Sequence, residues 1–111
     1  MNEKLRFINA DLPVVCNLSA AQQAERLIQT SDIFKGCAEM LELGDGYAFR
    51  FDGSAKWAGR ILEFIETERV CCRFFRFEMV FEPQLGPLWL YLRGSEAAKE
   101  FIRVSFAGKQ V

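Results

Sequence analysis

From Ala55 onward the apolar positions Trp57, Ala58, Ile61, Leu62, Phe64 and Ile65 recur at the spacing of one helix face, opposite Lys56, Arg60, Glu63 and Thr67. Ten residues later the period changes. Phe75, Phe77, Met79 and Phe81 alternate with Arg76, Glu78, Val80 and Glu82, a period of two that predicts a half-buried strand. Pro83 to Pro87 then reads as a turn, and the next strand sets Leu88, Leu90 and Leu92 on one side and Trp89, Tyr91 and Arg93 on the other. Ser95 caps a closing helix with Glu96 in its first turn and Ala97, Ala98, Phe101 and Ile102 on its inner face.

The first half follows the same logic. Leu12 to Leu18, with Val14 and Val15, suits a strand whose Pro13 places it at an edge or a strand start. Ser19 with Gln22 forms a capping-box pattern, and Ala20, Ala24, Leu27 and Ile28 supply the apolar face of a helix that stops at Gly36 after Ile33 and Phe34. Residues 38–43 and 47–51 flank Gly44, Asp45 and Gly46, where the glycines supply the positive backbone dihedral of a tight hairpin, and Tyr47, Phe49 and Phe51 share one face.

Element order alone then predicts a two-layer α+β fold, an antiparallel sheet of four to five strands with helices on one face. The order strand, strand, helix occurs twice, and Gly53, Ser54, Ala55 and Lys56 resemble Gly94, Ser95, Glu96 and Ala97 at the two joints, which suggests a β-β-α pseudo-repeat. The strand bearing Trp89 and Tyr91 is apolar on both faces, so its second side needs a cover. A homodimer supplies one, and Leu5, Phe7 and Ile8 folding back over the sheet are the monomeric alternative.

With 111 residues, half of them hydrophobic, residues 1–111 form a single domain with room for a core and none for a second domain. Fourteen basic against fifteen acidic residues removes the positive field that nucleic-acid binding requires. Neither the amino-terminal residues nor any later run has the apolar length of a signal or a membrane span, so the expectation is a cytoplasmic protein with reduced thiols. The chain has no histidine. Ser/His/Asp and Cys/His catalysis are thereby excluded within the chain, and the commonest zinc ligand is missing.

The remaining chemistry sits at Cys71 and Cys72, between the clearest helix and the alternating strand. If the helix persists to Cys72, Glu68 lies three and four residues before the thiols and shares their face. Arg69 and Arg73 flank them as candidate partners of an anionic ligand. Adjacent α-carbons, about 3.8 Å apart, are too close for an unstrained disulfide. Neighbouring side chains converge on one ion only where regular backbone gives way, and the change of period between Ile65 and Phe75 provides such a junction. Two thiolates suit a soft ion such as Cu(I) or Hg(II), whereas a closed zinc site would need Cys16, Cys37, Glu68 or a partner chain as well. Any such site requires both sulfurs to be presented to solvent.

The segment from Glu68 to Leu92 resembles an uncharacterised group of small bacterial α+β proteins that carry Glu-Arg-x-Cys-Cys, an aromatic-rich strand and a Gly-Pro hairpin, here Glu68, Arg69, Cys71, Cys72, Phe74, Phe77, Gly86 and Pro87. The likeness continues through Gly94, Glu96, Lys99, Glu100 and Phe101. It implies a shared small α+β domain and invites thiol or heavy-metal association. Arg73 and Ser95 stand where proline commonly occurs in that pattern. Three functions fit the sequence. A non-catalytic binding protein with a vicinal-cysteine site for a soft metal ion or thiol-reactive ligand is favoured. A homodimeric interaction module with structural cysteines is second, and a thiol redox enzyme third, because redox motifs favour Cys-x-x-Cys at a helix start.

Overall fold

The computed structural model describes residues 19–107, so the strand expected over Leu12 to Leu18, the covering role of Leu5, Phe7 and Ile8, and Cys16 lie outside the described residues. Helix α1 spans Ala20–Phe34, strands β1 and β2 Glu39–Leu43 and Gly46–Phe51, helix α2 Ala55–Cys71, strands β3 and β4 Arg76–Phe81 and Leu88–Arg93, and helix α3 Glu96–Ser105. Serine caps start all three helices, and at α1 the capping box is complete, with Ser19 accepting from the Gln22 amide and Gln22 from the Ser19 amide.

The strands form one antiparallel sheet of order β1-β2-β4-β3, as two β-β-α units set side by side with β2 and β4 at the centre. This is the two-layer α+β arrangement expected from the periodicity. The register places Tyr47, Phe49 and Phe51 of β2 and Leu88, Leu90 and Leu92 of β4 on the face that the helices cover. Ile61, Phe64 and Ile65 from α2 and Ala98 and Ile102 from α3 meet them there. Phe34, at the end of α1, is the hub: its ring lies 4.8 Å from Phe49, 5.2 Å from Phe106 and 5.4 Å from Phe64, centroid to centroid.

Three expectations are corrected. The inward face of α1 is not the one marked by Ala20, Ala24 and Ile28, all of which are exposed. Arg26, Thr30 and Phe34, four residues apart, point inward instead, because a buried partner on α2 compensates the charge of Arg26. On α2 the stripe is narrower than predicted, with Leu62 half exposed. No described glycine has a positive φ; the left-handed residues are Gln84 at 61° and Leu85 at 56°, in the turn where the Gly86 amide donates to the Pro83 carbonyl. Gly46 is required for a different reason. A Cβ there would stand 1.9 Å from the Leu92 carbonyl oxygen, so only glycine lets β2 approach β4 at that point.

The opposite face of the sheet carries Leu41, Val80, Trp89 and Tyr91 among Glu39, Arg50, Arg76, Glu78 and Arg93. Trp89, Tyr91 and Val80 are half-buried and Leu41 is exposed. No helix among the described residues is long and apolar enough to cross a membrane.

Candidate metal centre

Helix α2 continues to Cys71, and Cys72 is its cap, with φ −122° and ψ 77° and its amide donating to the Glu68 carbonyl. That departure from helical backbone lets successive side chains converge. Glu68 stands one turn earlier on the same face, and one ligand atom from each of Glu68, Cys71 and Cys72 lies within 4.8 Å of the others. The Cys71 thiol also donates to the Thr67 carbonyl at 3.5 Å. Cys37, Cys71 and Cys72 are thiols rather than halves of a disulfide.

The condition that both sulfurs be presented to solvent is not met at the surface: Cys71 retains 3% of its surface and Cys72 none, and Glu68 is fully buried as well. A carboxylate without water needs a cation, and the structure supplies one that the sequence reading did not single out. Arg26 of α1 donates from Nε to one Glu68 oxygen at 2.7 Å and from Nη2 to the other at 3.2 Å, a bidentate pair across the α1–α2 interface. The same Nη2 lies 3.8 Å from Cys72 Sγ. Burial is the largest influence on the guanidinium and acts to lower its pKa, but the Glu68 bond and charge, with Cys72 and Cys71, outweigh it and hold Arg26 above its ordinary range.

Arg69 and Arg73 are not drawn into this cluster. Both are exposed; Arg69 occupies the last turn of α2, where it complements the helix dipole, and Arg73 Nε donates to the Val70 carbonyl at 3.3 Å. The positive charge beside the thiols therefore comes from another helix. Arg26 was detectable in principle, because a glutamate expected to share a buried face with two cysteines demands a partner, and Arg26 is spaced four and eight residues from Thr30 and Phe34. Cys37 lies apart from the cluster, half-buried, with its thiol donating to the Glu39 carbonyl at 3.1 Å. Burial pushes that thiol up, against the pull of its backbone hydrogen bonds.

Burial does not seal the centre. Two clefts lie along the α1–α2 seam, and Arg26, Gln29 and Thr67 line both. One, of about 270 Å³, reaches Glu68 past Thr30, Arg60 and Phe64, and the other, of about 330 Å³, reaches Cys71 past Gln22, Glu25, Gln29 and Val70. Chemically the group offers two soft sulfur donors and one hard oxygen donor, with a fixed cation as counter-charge. No protein-family model, curated protein or solved structure matches this chain.

Proposed function

We propose that the protein is a non-catalytic, cytoplasmic binding protein that holds a soft, divalent metal ion through Cys71, Cys72 and Glu68. The convergence of their three ligand atoms at a buried helix end carries this reading. Charge supports it. Two thiolates and a carboxylate offset by Arg26 and a divalent ion sum to zero, so such an ion is held in the interior without net charge. Sulfur donors select soft ions such as Hg(II), and the reducing cytoplasm keeps them as thiols.

Titration with Hg(II), followed by sulfur-to-metal absorption and elemental analysis after gel filtration, tests the assignment. One ion per chain is expected to survive competition by a weak chelator. Cys71→Ser with Cys72→Ser is expected to abolish retention, and Cys37→Ser to leave it intact. Retention unchanged in the double variant, or no retained ion in the parent chain, refutes the reading.

A second property rests on the sheet face that no described helix covers. We infer that Trp89 and Tyr91 are the centre of a homodimer interface, because their rim is self-complementary: Arg50 pairs with Glu39 at 2.9 Å, and Arg93 with Asp45 at 2.8 Å and Glu78 at 3.2 Å. A two-fold contact of one surface with its own copy suits such alternating charge. Sedimentation equilibrium is expected to give a dimer that Trp89→Lys converts to monomer. A monomeric parent chain ends this proposal and leaves the metal centre untouched.

A further inference from the structure

The cleft beside Cys71 is far larger than an ion needs. A water-sized particle requires on the order of 15 Å³, whereas about 330 Å³ lies open beside this sulfur, a volume at the small end of organic ligand sites. Its lining is also not that of a passage for bare cations. Gln22, Glu25 and Gln29 are exposed and lie three and four residues apart on one face of α1, so that the Gln29 carboxamide, the Glu25 carboxylate and the Gln22 side-chain amide nitrogen, its oxygen being held by the Ser19 amide, border a cleft that is otherwise mainly apolar. The two sulfurs are placed unequally. Cys71 lines this cleft, whereas Cys72 lines neither cleft and sits against Arg26, with none of its surface accessible.

Resting on the metal-binding reading above, we propose that the centre is loaded from a bis-thiolate complex of the soft divalent ion with a small peptide-like thiol, which seats in the Gln22–Glu25–Gln29 cleft and passes the ion first to Cys71 and then to Cys72. In the first exchange the Cys71 sulfur bonds to the metal, one carrier sulfur leaves, and the Cys71 proton departs with it as a free thiol. The second exchange repeats this at Cys72, so that two carrier thiols are released, two metal–sulfur bonds replace two others, and no electron changes hands. The carrier makes the route practical, because soft ions in a thiol-rich compartment exist as thiolate complexes, and thiolate exchange is governed by access to the attacked centre.

The test uses the full chain with two mercury sources, mercuric chloride and the bis-glutathione complex of Hg(II), and counts glutathione in the product by native mass spectrometry. The parent chain is expected to take the ion from the complex and keep no glutathione. Cys72→Ser is expected to stop halfway, with one glutathione still on the protein-bound ion, and Cys71→Ser to load about tenfold more slowly. Val70→Trp, at an exposed position on the cleft wall, is expected to slow loading from the complex and not from mercuric chloride; Gln29→Trp on the opposite wall repeats the measurement should the first variant not fold. Equal loading rates from the complex in the parent and cleft-filled chains overturn the carrier proposal while the metal centre stands. So does a glutathione adduct that forms on Cys71→Ser rather than Cys72→Ser. Failure of the parent chain to bind mercury from either source instead removes the underlying reading.

Discussion

Arg26→Met is expected to destabilise the protein by about 3–5 kcal/mol, because it removes one member of a buried ion pair and leaves the other charge in place. Glu68 sits on the inward face of α2 with its carboxylate fully withdrawn from water, and both of its oxygens accept from Arg26. Methionine follows the path of the arginine stem but offers no donor. Of a total stability of about 5–15 kcal/mol that loss is a large share, and it is read as a lowered urea midpoint at unchanged slope. The second half of the experiment separates scaffold from site. Arg26→Met combined with Glu68→Leu removes both charges and both desolvation penalties, and is expected to recover most of the loss, since a buried pair replaced by well-packed apolar groups is commonly neutral or better. The recovered double variant should hold Hg(II) more weakly than the parent chain, because the oxygen ligand and the counter-charge are gone while both thiols remain. Full stability together with undiminished metal affinity would show that the ion pair serves neither purpose. A double variant as unstable as Arg26→Met alone would make the pair structural and weaken the case for a ligand role of Glu68.

The periodicity of the chain was informative wherever one pattern of burial dominated. The alternation Phe75, Phe77, Met79, Phe81 gave β3, which starts at Arg76, the stripe from Trp57 to Ile65 gave α2, and an antiparallel sheet of four to five strands with helices on one face followed from their order, of which the described residues hold four. The Glu68, Cys71 and Cys72 cluster was also legible, since residues three and four apart share a helix face and the change of period marked where the helix would end. What was not legible depended on a contact between distant residues. Arg26 is forty-two positions from Glu68, and local hydropathy marks an arginine as surface; only the partner across the interface makes it an interior residue, and with it the whole inward face of α1 rotates away from Ala20, Ala24 and Ile28. Arg69 and Arg73 stand in the opposite position. Proximity in sequence to the thiols suggested a shared site, but at the end of a helix the neighbours of an inward residue face outward. The burial of Cys71 and Cys72 belongs to the same class, because both join the core cluster built from distant parts of the chain, and Arg26 of α1 stands 3.8 Å from Cys72 Sγ.

Phe34→Ala is the companion substitution, expected to cost about 3–5 kcal/mol through lost apolar contact and the cavity left behind. The Phe34 ring joins α1 to the sheet and to the other helices, with Phe49 and Phe51 of the sheet, Phe64 of α2 and Phe106 after α3 all within 6.0 Å of it, centroid to centroid. Its consequence is not confined to stability. Helix α1 packs inward through Arg26, Thr30, Ile33 and Phe34, of which Phe34 at its end is the aromatic anchor and Arg26, two turns earlier and about 12 Å along the axis, the ionic one. Removing the aromatic anchor should let the helix open locally at a lower free energy than the rest of the molecule. Amide exchange across residues 20–34 is therefore expected to accelerate more than exchange in β2 and β4, and mercury release from the Cys71–Cys72 centre to quicken with it, since α1 carries both the counter-charge and one wall of the cleft. Phe81→Ala provides the control, because that side chain is more than half exposed and should change neither quantity by much. Uniform acceleration of exchange over the whole sheet in Phe34→Ala would show instead that α1 and the core unfold as one unit, and metal release would then report global stability rather than the movement of a single helix.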